Sequence, residues 1–317
     1  MIEFPDKPVE VPQRGRRPAL HHVYDEDSIW AIRGALGSNR PLLVRGQPGV
    51  GKTQLARAAA VSLNRPIVEF TVDSKTESQD LLWSIDNIRR LAEAQVIAAS
   101  QNPNPDEQLN ILNFANPGPI WWAFDWKTAE KVASKGAVPE KPEKWNSTQD
   151  GVVLLIDEID KGDSDVPNGL LEALGNTTFR HPDPDQHEPV ALKNKMPLVV
   201  ITTNEERALP DAFVRRCLVL NMSLPRDNAA LKKVLRDRGR AHFPKNKIND
   251  AILGEAADFL IDDRNQAKRQ QVTPLPGQAE FIDMLNAIKD LKKVADKRDA
   301  MKKLRAFVFQ KHADVDE

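Results

Sequence analysis

Eight residues, Gly46-Gln47-Pro48-Gly49-Val50-Gly51-Lys52-Thr53, constrain this chain more than any other stretch. They follow a short apolar run, Pro41-Leu42-Leu43-Val44, and precede an Ala-rich stretch of helical character, Gln54 to Leu63. The pattern G-x-x-x-x-G-K-[ST] between a strand and a helix is that of a loop that cradles phosphate. Its glycines let backbone N–H groups turn inward around an anion. In such a loop Lys52 reaches the β- and γ-phosphates, and the Thr53 hydroxyl ligates Mg²⁺, a cation that prefers oxygen ligands. The helix that follows aims its positive end at the same anion, so Gln54 joins the candidate set. The implied ligands are a phosphate chain and Mg²⁺. A Gly-rich turn that matches by chance is the bland alternative. The strand, the helix, the Lys and the Thr all weigh against it.

A second candidate lies about a hundred residues on. Val152-Val153-Leu154-Leu155-Ile156 is an apolar strand that runs into Asp157-Glu158. Opposite a phosphate loop, Asp157 is placed to hold Mg²⁺ and Glu158 to orient and deprotonate an attacking water. The plainer reading is an acidic residue capping the next helix. The run Leu198-Val199-Val200-Ile201-Thr202-Thr203 ends at Asn204, an amide that either positions the water or simply forms a turn. Arg215 and Arg216 end a short helix before another apolar run. A guanidinium there suits phosphate oxygens across a subunit boundary, or it simply complements a helix C-terminus.

Five apolar runs (41–44, 67–72, 152–156, 198–202 and 217–222) are mostly continuous rather than alternating, as in strands buried on both faces of a parallel sheet. Helical stretches separate most of them, so the fold class is α/β. Thr76 and Gln79 form a capping box, and Leu81, Ile85, Ile88, Ala92 and Val96 share one face, which predicts a single helix ending near Asn102-Pro103. Residues 103–150 are irregular and rich in proline and read as an insert. The first 19 residues read as an extended arm. After Pro225 the strands stop and amphipathic helices follow. The expected organisation is therefore an arm (1–19), an α/β core (20–225, insert about 103–150) and a helical lid (226–317).

The series Gly46–Thr53, Val152–Glu158, Asn204 and Arg215-Arg216 resembles the AAA+ ATPases over about residues 20 to 312. Within them it looks most like the MoxR-type branch, through Thr76-Glu77-Ser78-Gln79-Asp80-Leu81-Leu82, Asp157-Glu158-Ile159-Asp160-Lys161 with Asn168–Leu174, and Ile201-Thr202-Thr203-Asn204-Glu205. The resemblance implies a five-stranded sheet ordered 5-1-4-3-2, a helical lid, and a ring-shaped homo-oligomer, usually a hexamer, with ATP at subunit interfaces. It makes Asn204 the sensor-1 residue. Arg216, which immediately precedes the fifth strand, stands first as the arginine finger and Arg215 second. It also implies a protein client, with a von Willebrand A-domain partner or a bacterial anti-phage setting as family precedents. The family often carries a sensor-2 arginine at the start of a late lid helix. Here that place falls near Pro276–Glu280, which has none, although Lys268 and Arg269 lie upstream.

Two further stretches attract attention. Trp121, Trp122 and Trp126 put half of the chain's six tryptophans within six residues. They read either as packing or as a partner-facing patch. Residues 179–190 read as a hairpin with a polar tip, which in related ATPases faces the pore. Composition narrows the rest. Cys217 is the only cysteine, so no intrachain disulfide can form. No apolar run reaches membrane-span length and the first residues lack signal-peptide character, so a cytoplasmic protein is expected. The formal net charge is −1, but residues 226–317 hold 20 Lys and Arg against 15 Asp and Glu. That permits nucleic-acid binding without arguing for it. Three functions stay open: an ATPase that remodels a protein client, a nucleotide-gated switch or scaffold, and a nucleic-acid motor or loader.

Overall fold

The computed structural model describes residues 4–5, 7–13, 19–99, 105–134, 142 and 147–310. The five apolar runs become strands β1 (Leu42–Arg45), β2 (Ile67–Thr71), β3 (Val153–Asp157), β4 (Leu198–Thr203) and β5 (Leu218–Asn221). They pair in parallel in the order β5-β1-β4-β3-β2. Their helices are α1 (Glu26–Ser38), α2 (Lys52–Ser62), α3 (Asn87–Ala99), α4 (Pro119–Phe124), α5 (Trp126–Ala133), α6 (Asp165–Asn176), α7 (Asp211–Arg216), α8 (Asn228–His242), α9 (Asp250–Arg269), α10 (Gln278–Ile288) and α11 (Val294–Val308).

The continuous apolar runs have a simple origin. Alternate residues of each strand enter different cores, and both cores are apolar. Leu42, Val44, Val153, Leu155, Leu198 and Val200 face one side, while Leu43, Leu154, Ile156, Val199 and Ile201 face the other. Burying each such side chain contributes about 1.5–3 kcal/mol. On the first side, α2 lies on the sheet through Ala56, Ala59 and Ala60, whose small side chains permit close approach. The helices after Pro225 extend the same core with Leu231, Leu235, Leu253, Leu260, Phe281 and Leu285.

Part of the N-terminal segment, read as an extended arm, packs against the rest of the chain. Val9–Val11 pairs antiparallel with Leu20–His22, and Phe4, Val9 and Val11 are buried.

The single helix expected from Thr76 onward is replaced by three elements. Ser78–Leu81 forms a 3₁₀ turn whose capping box uses Glu77 and Asp80 rather than Thr76 and Gln79. Trp83–Ile85 is a strand paired antiparallel with Ala115–Pro117. Only then does α3 begin. Ile88 and Val96, expected on a buried face, are 85% and 62% exposed. The expected helix end at Asn102-Pro103 and much of 135–146 lie outside the described residues.

The tryptophans resolve in favour of packing. Trp121, Trp122 and Trp126 are all buried in the second core with Phe124. The Trp121 indole N–H donates to Thr128 Oγ1 at 2.9 Å, and Trp122 meets Trp126 edge-on at 5.1 Å. The hairpin forms as expected, with Thr178–Phe179 antiparallel to Val190–Ala191. Its tip is partly packed, since Asp183 is buried and His181 lies 5.3 Å from the Trp121 ring.

Candidate functional site

A parallel sheet delivers the polar residues that follow its strands to one edge, and in open α/β sheets ligands gather there. Here β1 leads into Gly46–Gly51, β3 ends at Asp157, and β4 ends just before Asn204. β1 and β3 both flank β4, so these three polar ends are neighbours.

The phosphate loop needs its glycines. Gly46 has φ 152°, and a Cβ there would lie 2.1 Å from the Met222 carbonyl oxygen. Gly49 has φ 79°, and a Cβ there would sit 3.1 Å from the Ala279 methyl. α2 then opens at Lys52 with no side-chain cap, which leaves its first N–H groups for an anion.

The side chains converge in a cleft of about 410 Å³. Lys52 is 7% exposed and its ammonium donates to Gly46 O at 2.6 Å, Gln47 O at 3.1 Å and Asn204 Oδ1 at 2.7 Å. Burial pulls its pKa down, and Asp157, Asp160, Glu158 and Glu205 oppose that pull. The Thr53 hydroxyl lies 3.1 Å from both Asp157 oxygens. A hydroxyl and a carboxylate in contact supply the hard oxygen donors that Mg²⁺ requires, so Thr53 and Asp157 fit that cation. Glu158 takes the left-handed conformation, φ 60° and ψ 45°, which is uncommon for a residue with a side chain. Its Oε1 accepts from Asn204 Nδ2 at 3.3 Å and its Oε2 from Lys161 Nζ at 2.7 Å.

The expected residues divide in two. Lys52, Thr53, Gln54, Asp157, Glu158 and Asn204 line the cleft with Pro48, Gly49 and Gly51. Gly46, Gln47 and Val50 border a neighbouring hollow of about 520 Å³ together with Lys268. Arg215 and Arg216 are exposed and line neither space. Their backbone carbonyls instead accept from the Arg40 guanidinium, at 3.1 Å for Arg216 O, and this holds the end of α7.

Several residues escape sequence reasoning. Thr202, fully buried, donates to Asp157 Oδ1 and accepts from the Glu158 N–H at 3.0 Å, so one hydroxyl orients both acids. Asp160, 2% exposed, accepts from the Asn204 N–H at 3.4 Å and the Glu206 N–H at 2.9 Å. These bonds fix the loop that carries Asn204. From α10, Gln278, Ala279, Ile282, Asp283 and Asn286 also line the cleft, and the Ala279 N–H donates to Gly49 O at 3.2 Å. Thr202 and Asp160 had the right neighbours in sequence. Of the α10 residues, Gln278 and Ala279 fall within Pro276–Glu280, the stretch the resemblance pointed to, while nothing local marked Ile282, Asp283 and Asn286.

Sheet order, loop and cleft together define a P-loop α/β protein with a helical C-terminal region that lines one side of the site. A family model described as an AAA domain of the dynein-related subfamily matches residues 41–238. The chain belongs to that family, and membership implies nucleotide binding and, in general terms, ATPase activity. Among solved structures, 845 chains match. One, described as "a putative ATPase" from Cytophaga hutchinsonii, is 12% identical, with a TM-score of 0.37 over 89% of this chain and 79% of that one. A comparison with curated proteins gives no match. Among the described residues, no helix is long and apolar enough to cross a membrane.

Proposed function

We propose that this protein hydrolyses ATP to ADP and phosphate in a Mg²⁺-dependent reaction, as a ring-shaped homo-oligomer that remodels or activates a protein client. The observation that carries the hydrolytic part is the placement of Glu158. Its carboxylate stands in the same cleft as Lys52 and Asp157 and is held by Asn204 and Lys161. A protein that only bound nucleotide would need Lys52 and Thr53 but no such base.

In this reading Gly46–Gln54 cradle the phosphates with backbone N–H groups, and Lys52 neutralises them. Thr53 and Asp157 hold Mg²⁺, which when bound neutralises charge on the phosphate oxygens. Glu158 accepts a proton from the attacking water, and Asn204 orients that water or the phosphate. Arg216, with Arg215 second, stabilises the developing charge from a neighbouring copy. Its exposure and its absence from its own cleft's lining favour a role in trans.

The MoxR-type branch, a hexameric ring, a von Willebrand A-domain partner, an anti-phage setting and a cytoplasmic location rest on the sequence resemblance. The division into arm, core and lid is likewise our reading. A nucleotide-gated switch is the second reading, because no arginine stands at 276–280. A nucleic-acid motor is the third, with only the basic lid in its favour.

The test is a mixing experiment. Arg216→Ala and Lys52→Ala chains should each lose turnover, and mixtures should regain part of it. No recovery at any ratio would remove the shared site. ATPase stimulation by DNA or RNA would favour the third reading.

A further inference from the structure

A second space adjoins the phosphate cleft and shares no lining residue with it. It is the hollow of about 520 Å³ between the end of β1, the segment that follows β5, and α9. Four cationic residues line it, Arg45, Arg226, Arg264 and Lys268, against one acid, Glu205. Arg264 and Lys268 stand four apart on α9 and so share a face. Arg264 is 7% exposed. Its Nη1 donates to Pro276 O at 2.7 Å, but its Nε has no hydrogen-bond partner among the described residues. Burial pulls its pKa down, and Glu280, which does not line the hollow, opposes that pull. Arg45 Nε likewise has no hydrogen-bond partner and lies 3.7 Å from Glu205 Oε1. Arg226 and Lys268 are exposed, and among the described residues no ion pair holds either side chain.

Cations gathered around one space repel one another, and a buried one is costly unless paired. The lining leaves an excess of three positive charges, or two when Glu280 is counted. A single carboxylate would not balance that excess. A phosphate group carries about two negative charges near neutral pH, and guanidinium forks match its oxygens. We propose that this hollow is a second anion site, separate from the cleft, that takes a small, multiply charged phosphate-type anion on Arg45, Arg226, Arg264 and Lys268. Bound there, the anion joins the end of β1 to α9 and stabilises their packing. The site stands whether or not the neighbouring cleft turns over ATP.

Pyrophosphate, titrated into the full chain by calorimetry, tests this. The Lys52→Ala chain, whose cleft has lost its ammonium, should still bind one pyrophosphate, and so should the wild-type chain saturated with ADP. Adding Arg226→Ala and Lys268→Ala, both exposed positions, to Lys52→Ala should weaken that binding about tenfold or more, the scale of lost contacts to a charged group. Pyrophosphate should also raise the melting temperature of the Lys52→Ala chain and not that of the triple variant. Citrate, of similar charge but built of carboxylates, should bind at least tenfold more weakly. No pyrophosphate binding by the Lys52→Ala chain would overturn the proposal, as would binding that ignores the two added substitutions. Citrate binding as tight as pyrophosphate would overturn the phosphate class. Failure of ADP to bind would count against the nucleotide reading alone, since the Lys52→Ala comparison does not use it.

Discussion

The phosphate cleft and the tryptophan segment both stand out in the sequence, and the fold uses them in opposite ways. In the cleft, polar groups meet at strand ends and remain open to a ligand: Lys52, Thr53, Asp157, Glu158 and Asn204 line one space. In 118–126, Trp122 meets Trp126 and Trp121 meets Phe179, and all three tryptophans lie buried with Phe124 in the second core. A cluster of unusual residues marks either a site or a packing problem solved, and burial distinguishes them. What singles out the cleft is that its charges are brought together at a loop built for an anion.

The comparison can be broken most easily at Trp121, which is fully buried. Trp121→Ala should cost about 3–5 kcal/mol of stability, read by denaturant unfolding. A loss below about 0.5 kcal/mol, the range of an ordinary surface change, would return the segment to the list of docking patches.

Acid should reveal a weakness in neither region. His22 is 7% exposed, and burial, with help from Arg238, lowers its pKa to about 4. The unfolded chain takes up the proton near pH 6.5 and the folded chain does not. Stability should therefore fall as pH drops from about 6.5 to 4 and level off below, by on the order of 3 kcal/mol at most. In His22→Phe that slope should flatten in a pH series of unfolding curves. An unchanged slope would place the acid sensitivity elsewhere.

Gly46→Ala sharpens the other side. Its methyl group would meet the Met222 carbonyl, and its backbone conformation disfavours any side chain. About 1–3 kcal/mol of local strain is expected, with ATP binding lost before global stability, as seen by comparing calorimetry with thermal melts. The smallest effect should come from Lys161→Ala. The Lys161–Glu158 pair is 41% and 30% exposed, so its loss should change stability by less than about 1 kcal/mol, while the freed Glu158 should alter turnover.

How much of this was legible beforehand depends on distance along the chain. The five strands and the cleft's core residues follow from apolar runs and local motifs, the strand order came only from the family resemblance, and strand edges fell within a residue or so of expectation. The region after Thr76 did not follow. Leu81, Ile85 and Ile88 have helical spacing, but Trp83–Ile85 pairs with Ala115–Pro117, about thirty residues away. Periodicity carries no record of such a partner. The hydrogen-bonded Gln278 and Arg238 stand forty residues apart, and only Gln278 falls in a stretch, Pro276–Glu280, that the resemblance pointed to. The tryptophans were visible as a cluster, but their burial depends on helices α4 and α5 folding onto the sheet.

The central claim is that the cleft turns ATP over and that Glu158 is its base. Glu158→Gln keeps the size and the hydrogen-bonding reach of the side chain but removes its ability to take a proton. Steady-state ATP hydrolysis and equilibrium ATP binding should be measured on this variant beside the wild-type chain. The account predicts binding within a few-fold of wild type and turnover reduced by about a hundredfold or more, the usual scale of a lost general base. Turnover at the wild-type rate would contradict it.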